Sequence, residues 1–148
     1  MRVWRVCRAA FADLSGEGAR LYGGRWNSPG RPVVYTAENP ALAILEVRVH
    51  LDIEPDLIPD DYVLVEIDLA DAVCEEVATL PNNPRELGDA WLAEGRTPVL
   101  KVPSFAAPRS ANFLINPAHA GWSSVAVIGH QRFSFDRRLW LPLSRTIL

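Results

Sequence analysis

The chain has 148 residues, 49% apolar and 22% charged, enough for one domain that buries its core without disulfide or metal staples. That composition excludes a disordered chain. With 15 Lys and Arg against 18 Asp and Glu and a net charge of −3, the arginines are scattered singly, and there is no basic stripe for direct binding to nucleic acid.

Cys7 and Cys74 lie far apart, with no Cys-x-x-Cys and no neighbouring His. Both read as small core residues in a reducing compartment, and neither a zinc site nor a disulfide framework follows. The start, Met1-Arg2-Val3-Trp4-Arg5-Val6, has no apolar signal region. No stretch approaches the roughly 20 apolar residues of a membrane helix, so a cytoplasmic protein without membrane contact is expected.

Val3 to Val6 reads as a short strand carrying Arg5, and Asp13 to Gly24 as a loop rich in glycine and serine. Val33 to Thr36 is a β-branched and aromatic run between Pro29-Gly30 and Asn39-Pro40, which fits a buried strand. Asn39 then supplies an N-cap and Pro40 the first residue of a helix that runs to about His50. Leu42, Leu45 and Val49 recur on it at helical spacing and form the expected core stripe, into which Glu46 also falls.

Tyr62 to Ile67 alternates as a strand should, and Asn83-Pro84-Arg85-Glu86 opens a second helix that closes at Gly95. Val99 to Val102, Val125 to Ile128 and Phe133 to Phe135 read as further strands. There is no internal repeat or linker, and no regular β-α-β alternation. A single α+β domain spanning 1–148, with a mixed sheet and a few helices, is the expected class.

Glu46 is the strongest chemical clue. A carboxylate on the buried stripe of a helix costs on the order of several kcal/mol unless it is paired or lines a wet cleft. Its partner is either Arg25 or Arg48, or it faces a site. Arg25 follows Gly23-Gly24, which let backbone approach a ligand, and its planar fork suits a phosphate as well as it suits a surface turn. Arg5 is either an edge charge or a second phosphate-binding cation.

Tyr35 reads either as a core tyrosine or as a ligand-packing ring, and Ser104 as a turn closure unless a partner is found for it. Gly23-Gly24 alone is a weak phosphate-loop signal. His50, His119 and His130 are far apart in sequence, with no Gly-x-Ser-x-Gly and no ligand spacing, so neither a serine-hydrolase triad nor a metal site is supported. Trp26, Trp91, Trp122 and Trp140 read as core residues.

In order along the chain, Gly23 to Asn27, Tyr35, Glu46, Val102-Pro103-Ser104 and Asn112 to Pro117, with His119 just beyond, resemble the RES-domain family, named for an arginine, a glutamate and a serine. The likeness runs from Trp4-Arg5-Val6 to Phe135-Asp136-Arg137-Arg138-Leu139. It departs after Pro108, where Arg109-Ser110 replace acidic residues, and at Ala120, where proline is common.

The resemblance implies a fold similar to ADP-ribosyltransferases and a toxin of a bacterial type II toxin-antitoxin pair. Such a toxin consumes NAD+ as substrate by cleaving the nicotinamide-ribose bond and passes ADP-ribose to water, phosphate or a protein target. A cognate Xre-type helix-turn-helix antitoxin would be its partner. Carried over by motif, Glu46, Arg25, Tyr35 and Ser104 form the catalytic set, and Arg5, Arg25, Tyr35, Ser104 and Asn112 contact the dinucleotide. Glu46 would stabilise the ribosyl cation, Arg5 and Arg25 hold the pyrophosphate, Tyr35 pack on nicotinamide or its ribose, and Ser104 hydrogen-bond the ribose or carboxamide. Two other readings remain open, a non-catalytic nucleotide-binding module and a ribonuclease toxin, the latter disfavoured by low basic charge and the lack of paired acid-base residues.

Overall fold

The computed structural model describes residues 1–122 and 124–140. Ser123 and the last eight residues of the expected 1–148 domain lie outside the described residues. Among the described residues, seven strands form one mixed sheet. In chain order they are β1 (Arg2–Arg8), β2 (Val34–Ala37), β3 (Tyr62–Asp68), β4 (Cys74–Glu76), β5 (Val99–Pro103), β6 (Ala111–Ile115) and β7 (Ala126–Arg132). Their spatial order is β4-β5-β6-β2-β1-β3-β7, antiparallel except for the β4–β5 pair. The α+β expectation, with a mixed sheet and few helices, is met.

Three α-helices among the described residues accompany the sheet, α1 (Glu17–Tyr22), α2 (Pro40–His50) and α3 (Pro84–Glu94). Asn39 Oδ1 accepts from the Leu42 amide at 2.8 Å and Asn83 Oδ1 from the Glu86 amide at 3.1 Å, each followed by proline at the first helical position. Gly95, at φ 60°, ends α3 in the left-handed conformation.

The pleat separates two faces. On one, Val3, Val34, Val65, Ile67, Val99, Phe113 and Ile115 form a buried layer. On the other, α3 packs Trp91 and Leu92 against Leu100, Val102 and Leu114, while α2 packs Leu42 and Ala43 against Val6, Ala37 and Tyr62.

Several expectations need correction. Asp13 to Gly24 is not all loop, because α1 lies within it. The glycines that suggested a bend instead bound this short helix, Gly16 at φ 69° and Gly23 at φ 73°. Phe133 to Phe135 leaves the sheet, and β7 runs Ala126–Arg132. The Phe133 amide still donates to the Tyr62 carbonyl at 3.0 Å, and beyond it Phe135 packs edge-on against Phe133 at 4.8 Å and Tyr62 at 5.3 Å.

Val49 is 56% exposed rather than core, since only the first turn of α2 is fully covered. Cys74 is exposed on the short β4, while Cys7 is half-buried and burial pushes its thiol pKa up. Trp26 and Trp91 are buried, whereas Trp122 and Trp140 are only half-buried. No helix among the described residues is long and apolar enough to cross a membrane.

Candidate active site

β1 and β2 are neighbours in the sheet, yet their register consists of one pair, Trp4 with Ala37. Continued pairing would set Arg5 opposite Thr36 and Val6 opposite Tyr35, but the strands diverge there instead. The split opens a cavity of about 470 Å³ lined by Arg5, Val6, Tyr35 and Thr36, with Glu46 from α2 and Arg25 from the loop before β2. Polar groups thus reach a cleft that begins inside the sheet.

Glu46 is half-buried and lines this cavity. Its Oε1 accepts a 2.6 Å hydrogen bond from Ser104 Oγ, across 58 residues of sequence. No ion pair among the described residues includes Glu46. Arg48, one of its two candidate partners, donates to the Leu139 and Leu51 carbonyls and stacks on Trp140 at 4.1 Å. The carboxylate therefore lines the cleft without a cationic partner among the described residues, with one oxygen fixed by a neutral donor.

Ser104 is 6% exposed and does not line the cavity. Its hydroxyl accepts from the Ala106 and Ala107 amides at 3.0 and 3.1 Å, while its own proton goes to Glu46. The single hydroxyl proton that a direct bond to a ligand would use is thus committed to the Glu46 carboxylate.

Arg25 is exposed, and its guanidinium carbon lies over the Phe105 ring, 3.9 Å from the centroid. Neither a hydrogen bond nor an ion pair among the described residues uses its N–H groups. Arg5 is half-buried and donates through one nitrogen to the Phe11 carbonyl at 3.0 Å and the Asp13 carbonyl at 3.1 Å, which ties the segment after β1 to the cleft wall.

Tyr35 presents its ring to the cavity, but its hydroxyl is fully engaged elsewhere. It donates to Asn27 Oδ1 at 2.6 Å and accepts from the Trp26 amide at 3.0 Å. Burial raises its pKa well above the usual phenol value, so it stays neutral. Asn27, with no exposed surface, also donates to the Ala19 and Ser28 carbonyls. This loop is pinned from α3 as well, where Asp89 accepts from Ser28 N and Oγ at 2.7 and 2.6 Å and Arg85 donates to the Gly24 carbonyl.

Glycine is required at two of these contacts. A Cβ on Gly24 would fall 2.7 Å from Tyr35 Oη, and one on Gly88 would fall 1.8 Å from the Trp26 carbonyl oxygen. Asn112 lines the cavity and donates through Nδ2 to the Thr36 carbonyl at 3.2 Å. The structure thus brings Arg5, Arg25, Tyr35, Glu46 and Asn112 to one cavity and leaves Ser104 behind it.

Sequence reasoning missed Phe105 and His50, both of which line the cavity, and gave Asn27 no separate role. His50 stands four residues after Glu46, a spacing that puts both on one side of α2 and was readable. Phe105 left no such signal. No group of three His, Cys, Asp or Glu side chains that could hold a metal occurs among the described residues.

Fold and cleft together define a single α+β domain whose cavity, opened where β1 and β2 part, is lined by Glu46 together with Arg5 and Arg25. The chain matches the RES domain over residues 2–136, and it belongs to the RES-domain family. A Pseudomonas putida protein named Toxin Res is 39% identical over 148 residues, covering 95% of this chain and 100% of its own. A Sphingobium protein named Prs ADP-ribosylating toxin is 37% identical over 154 residues, covering 92% and 94%. The crystal structure of the Mycobacterium tuberculosis MbcT–MbcA toxin-antitoxin complex holds a chain of the same fold, with a TM-score of 0.71 and 21% identity over 90% of this chain and 84% of that one.

Proposed function

We propose that this chain is the toxin of a toxin-antitoxin pair and consumes NAD+ by breaking its nicotinamide-ribose bond. The observation that carries this reading is Glu46, a carboxylate without a cationic partner among the described residues, fixed by Ser104 and facing a cleft that also holds Arg5 and Arg25. A cavity of about 470 Å³ suits a ligand of small-molecule to dinucleotide size. The names Toxin Res and Prs ADP-ribosylating toxin, borne by relatives that span nearly the whole chain, support both halves of the proposal.

Nicotinamide leaves a cationic pyridinium as a neutral base, so its departure needs no general acid. Positive charge develops at the ribose carbon, and one fixed anion beside it lowers the barrier. Glu46 supplies that anion, and Ser104 holds its oxygen in place without neutralising it. Arg25 and Arg5 bind the pyrophosphate, Arg25 through its free N–H edge. Tyr35 packs its ring on nicotinamide or its ribose while its hydroxyl holds the loop, and Asn112 contacts the dinucleotide from β6.

The acceptor is a protein side chain, in keeping with the ADP-ribosylating relative. Water and phosphate attack the same cation and are the competing outcomes. Incubating the purified protein with NAD+, with and without phosphate and cell lysate, and weighing the products separates them. A lysate protein heavier by one ADP-ribose supports transfer, free ADP-ribose means hydrolysis, and its 1-phosphate means phosphorolysis. NAD+ left intact in every arm rules the reading out. An Xre-type antitoxin is the proposed partner, and its co-expression relieves growth arrest if the pairing holds.

A further inference from the structure

The residue after Ser104 is Phe105, and the two side chains take different partners, Ser104 from behind the cavity and Phe105 from its lining. Ser104 Oγ reaches back to Glu46 at 2.6 Å, while the Phe105 ring lies under the Arg25 guanidinium at 3.9 Å. Phe105 is 40% exposed, so burial alone gives little reason for a large ring there. It is in turn braced edge-on against the buried Trp26, with ring centroids 6.4 Å apart and planes at 66°.

A guanidinium stacked by its face keeps all five N–H donors free around its rim. Arg48 makes a comparable stack on Trp140 at 4.1 Å, but its N–H groups go to the Leu139 and Leu51 carbonyls and its role is structural. Arg25 has the stack without such bonds among the described residues. Its cation sits over the ring while its N–H groups stay uncommitted among the described residues, as a receptor for an anion should be.

We infer that Phe105 is a positioning residue that holds the Arg25 guanidinium at the cleft, so that the Ser104-Phe105 dipeptide sets both the carboxylate and the cation of the site. The inference rests on the NAD+ reading above and extends it to a residue that acts through Arg25. Without the ring, the arginine samples many rotamers and must be ordered at each binding event. The loss then falls on dinucleotide binding rather than on the bond-breaking step.

Three variants test this, Phe105→Leu, Phe105→Trp and Arg25→Gln, together with the Phe105→Leu/Arg25→Gln double variant. Phe105→Leu raises KM for NAD+ by about tenfold with kcat changed less than about twofold, Phe105→Trp restores KM, and Phe105→Leu adds nothing in the Arg25→Gln background. An unchanged KM in Phe105→Leu, failure of the tryptophan to rescue, or additive losses would each overturn the inference.

A second measurement keeps the two proposals apart. In the wild-type protein the Arg25 Nε–H resonance carries a ring-current shift that Phe105→Leu abolishes. If the shift is present but wild-type protein neither binds nor cleaves NAD+, the NAD+ reading fails and the dinucleotide role of Phe105 fails with it, while the stack itself stands. If the shift is absent, the positioning inference fails whatever the enzyme does.

Discussion

Ser104 and Glu46 are joined by a 2.6 Å hydrogen bond that runs from the turn after β5 to the middle of α2. The bond gives the serine a definite task. It fixes one carboxylate oxygen through a neutral donor, whereas an arginine partner would have offset the carboxylate with a cation. Ser104→Ala removes that donor and strands the Ala106 and Ala107 amides, so we expect a stability loss of about 1–2 kcal/mol. NAD+ turnover should fall by about tenfold or more with KM little changed. Nicotinamide release and thermal denaturation on the same preparation measure both, and unaltered turnover in a folded Ser104→Ala protein would remove the serine from the mechanism.

Glu46→Gln preserves size and can still accept from Ser104 through its amide oxygen, which makes it a test of charge alone. If Glu46 stabilises the ribosyl cation, NAD+ cleavage drops by on the order of 100-fold or more. Dinucleotide binding, read by calorimetry, should persist. Full activity in this variant would sink the electrostatic assignment.

Much of this arrangement was readable from residue types, and the reasons are local. Asn39-Pro40 and Asn83-Pro84 announced α2 and α3 because capping is a short-range interaction. Glu46 stood out because a charge on an apolar stripe demands an explanation. Strand β6 was missed as a strand, since Ala111 to Ile115 is covered on both faces and shows no alternation, with Asn112 breaking its apolar run. The splay of β1 from β2 left no mark at all, because it depends on how two segments about 30 residues apart fail to pair. The link from Ser104 to Glu46 spans 58 residues and is equally invisible to spacing rules.

Arg25→Lys keeps the charge but loses the planar fork and the face that covers Phe105. We expect weaker dinucleotide binding, by about five- to thirtyfold if both the stack and the bidentate contact are lost. Isothermal titration with a non-cleavable NAD+ analogue reads this directly. Equal affinity for the two proteins would exclude Arg25 from the pyrophosphate contact.

Tyr35 supplies a test that depends on pH rather than on turnover. Its phenol is buried and its pKa raised well above the usual value of 10, with desolvation the leading cause. The folded protein therefore holds that proton more tightly than the unfolded chain does. Where the unfolded state has released the proton and the folded state has not, unfolding is favoured by rising pH. The contribution of Tyr35 to stability is thus fully present below pH 10 and is lost as pH climbs above it. Tyr35→Phe removes this alkaline component, and it also leaves Asn27 Oδ1 and the Trp26 amide without their partner, at a cost of about 1–3 kcal/mol at neutral pH. Denaturant unfolding of both proteins from pH 7 to 11 should show the gap between them narrowing above pH 10. A gap that stays constant over that range would mean that the Tyr35 hydroxyl is not held neutral by burial.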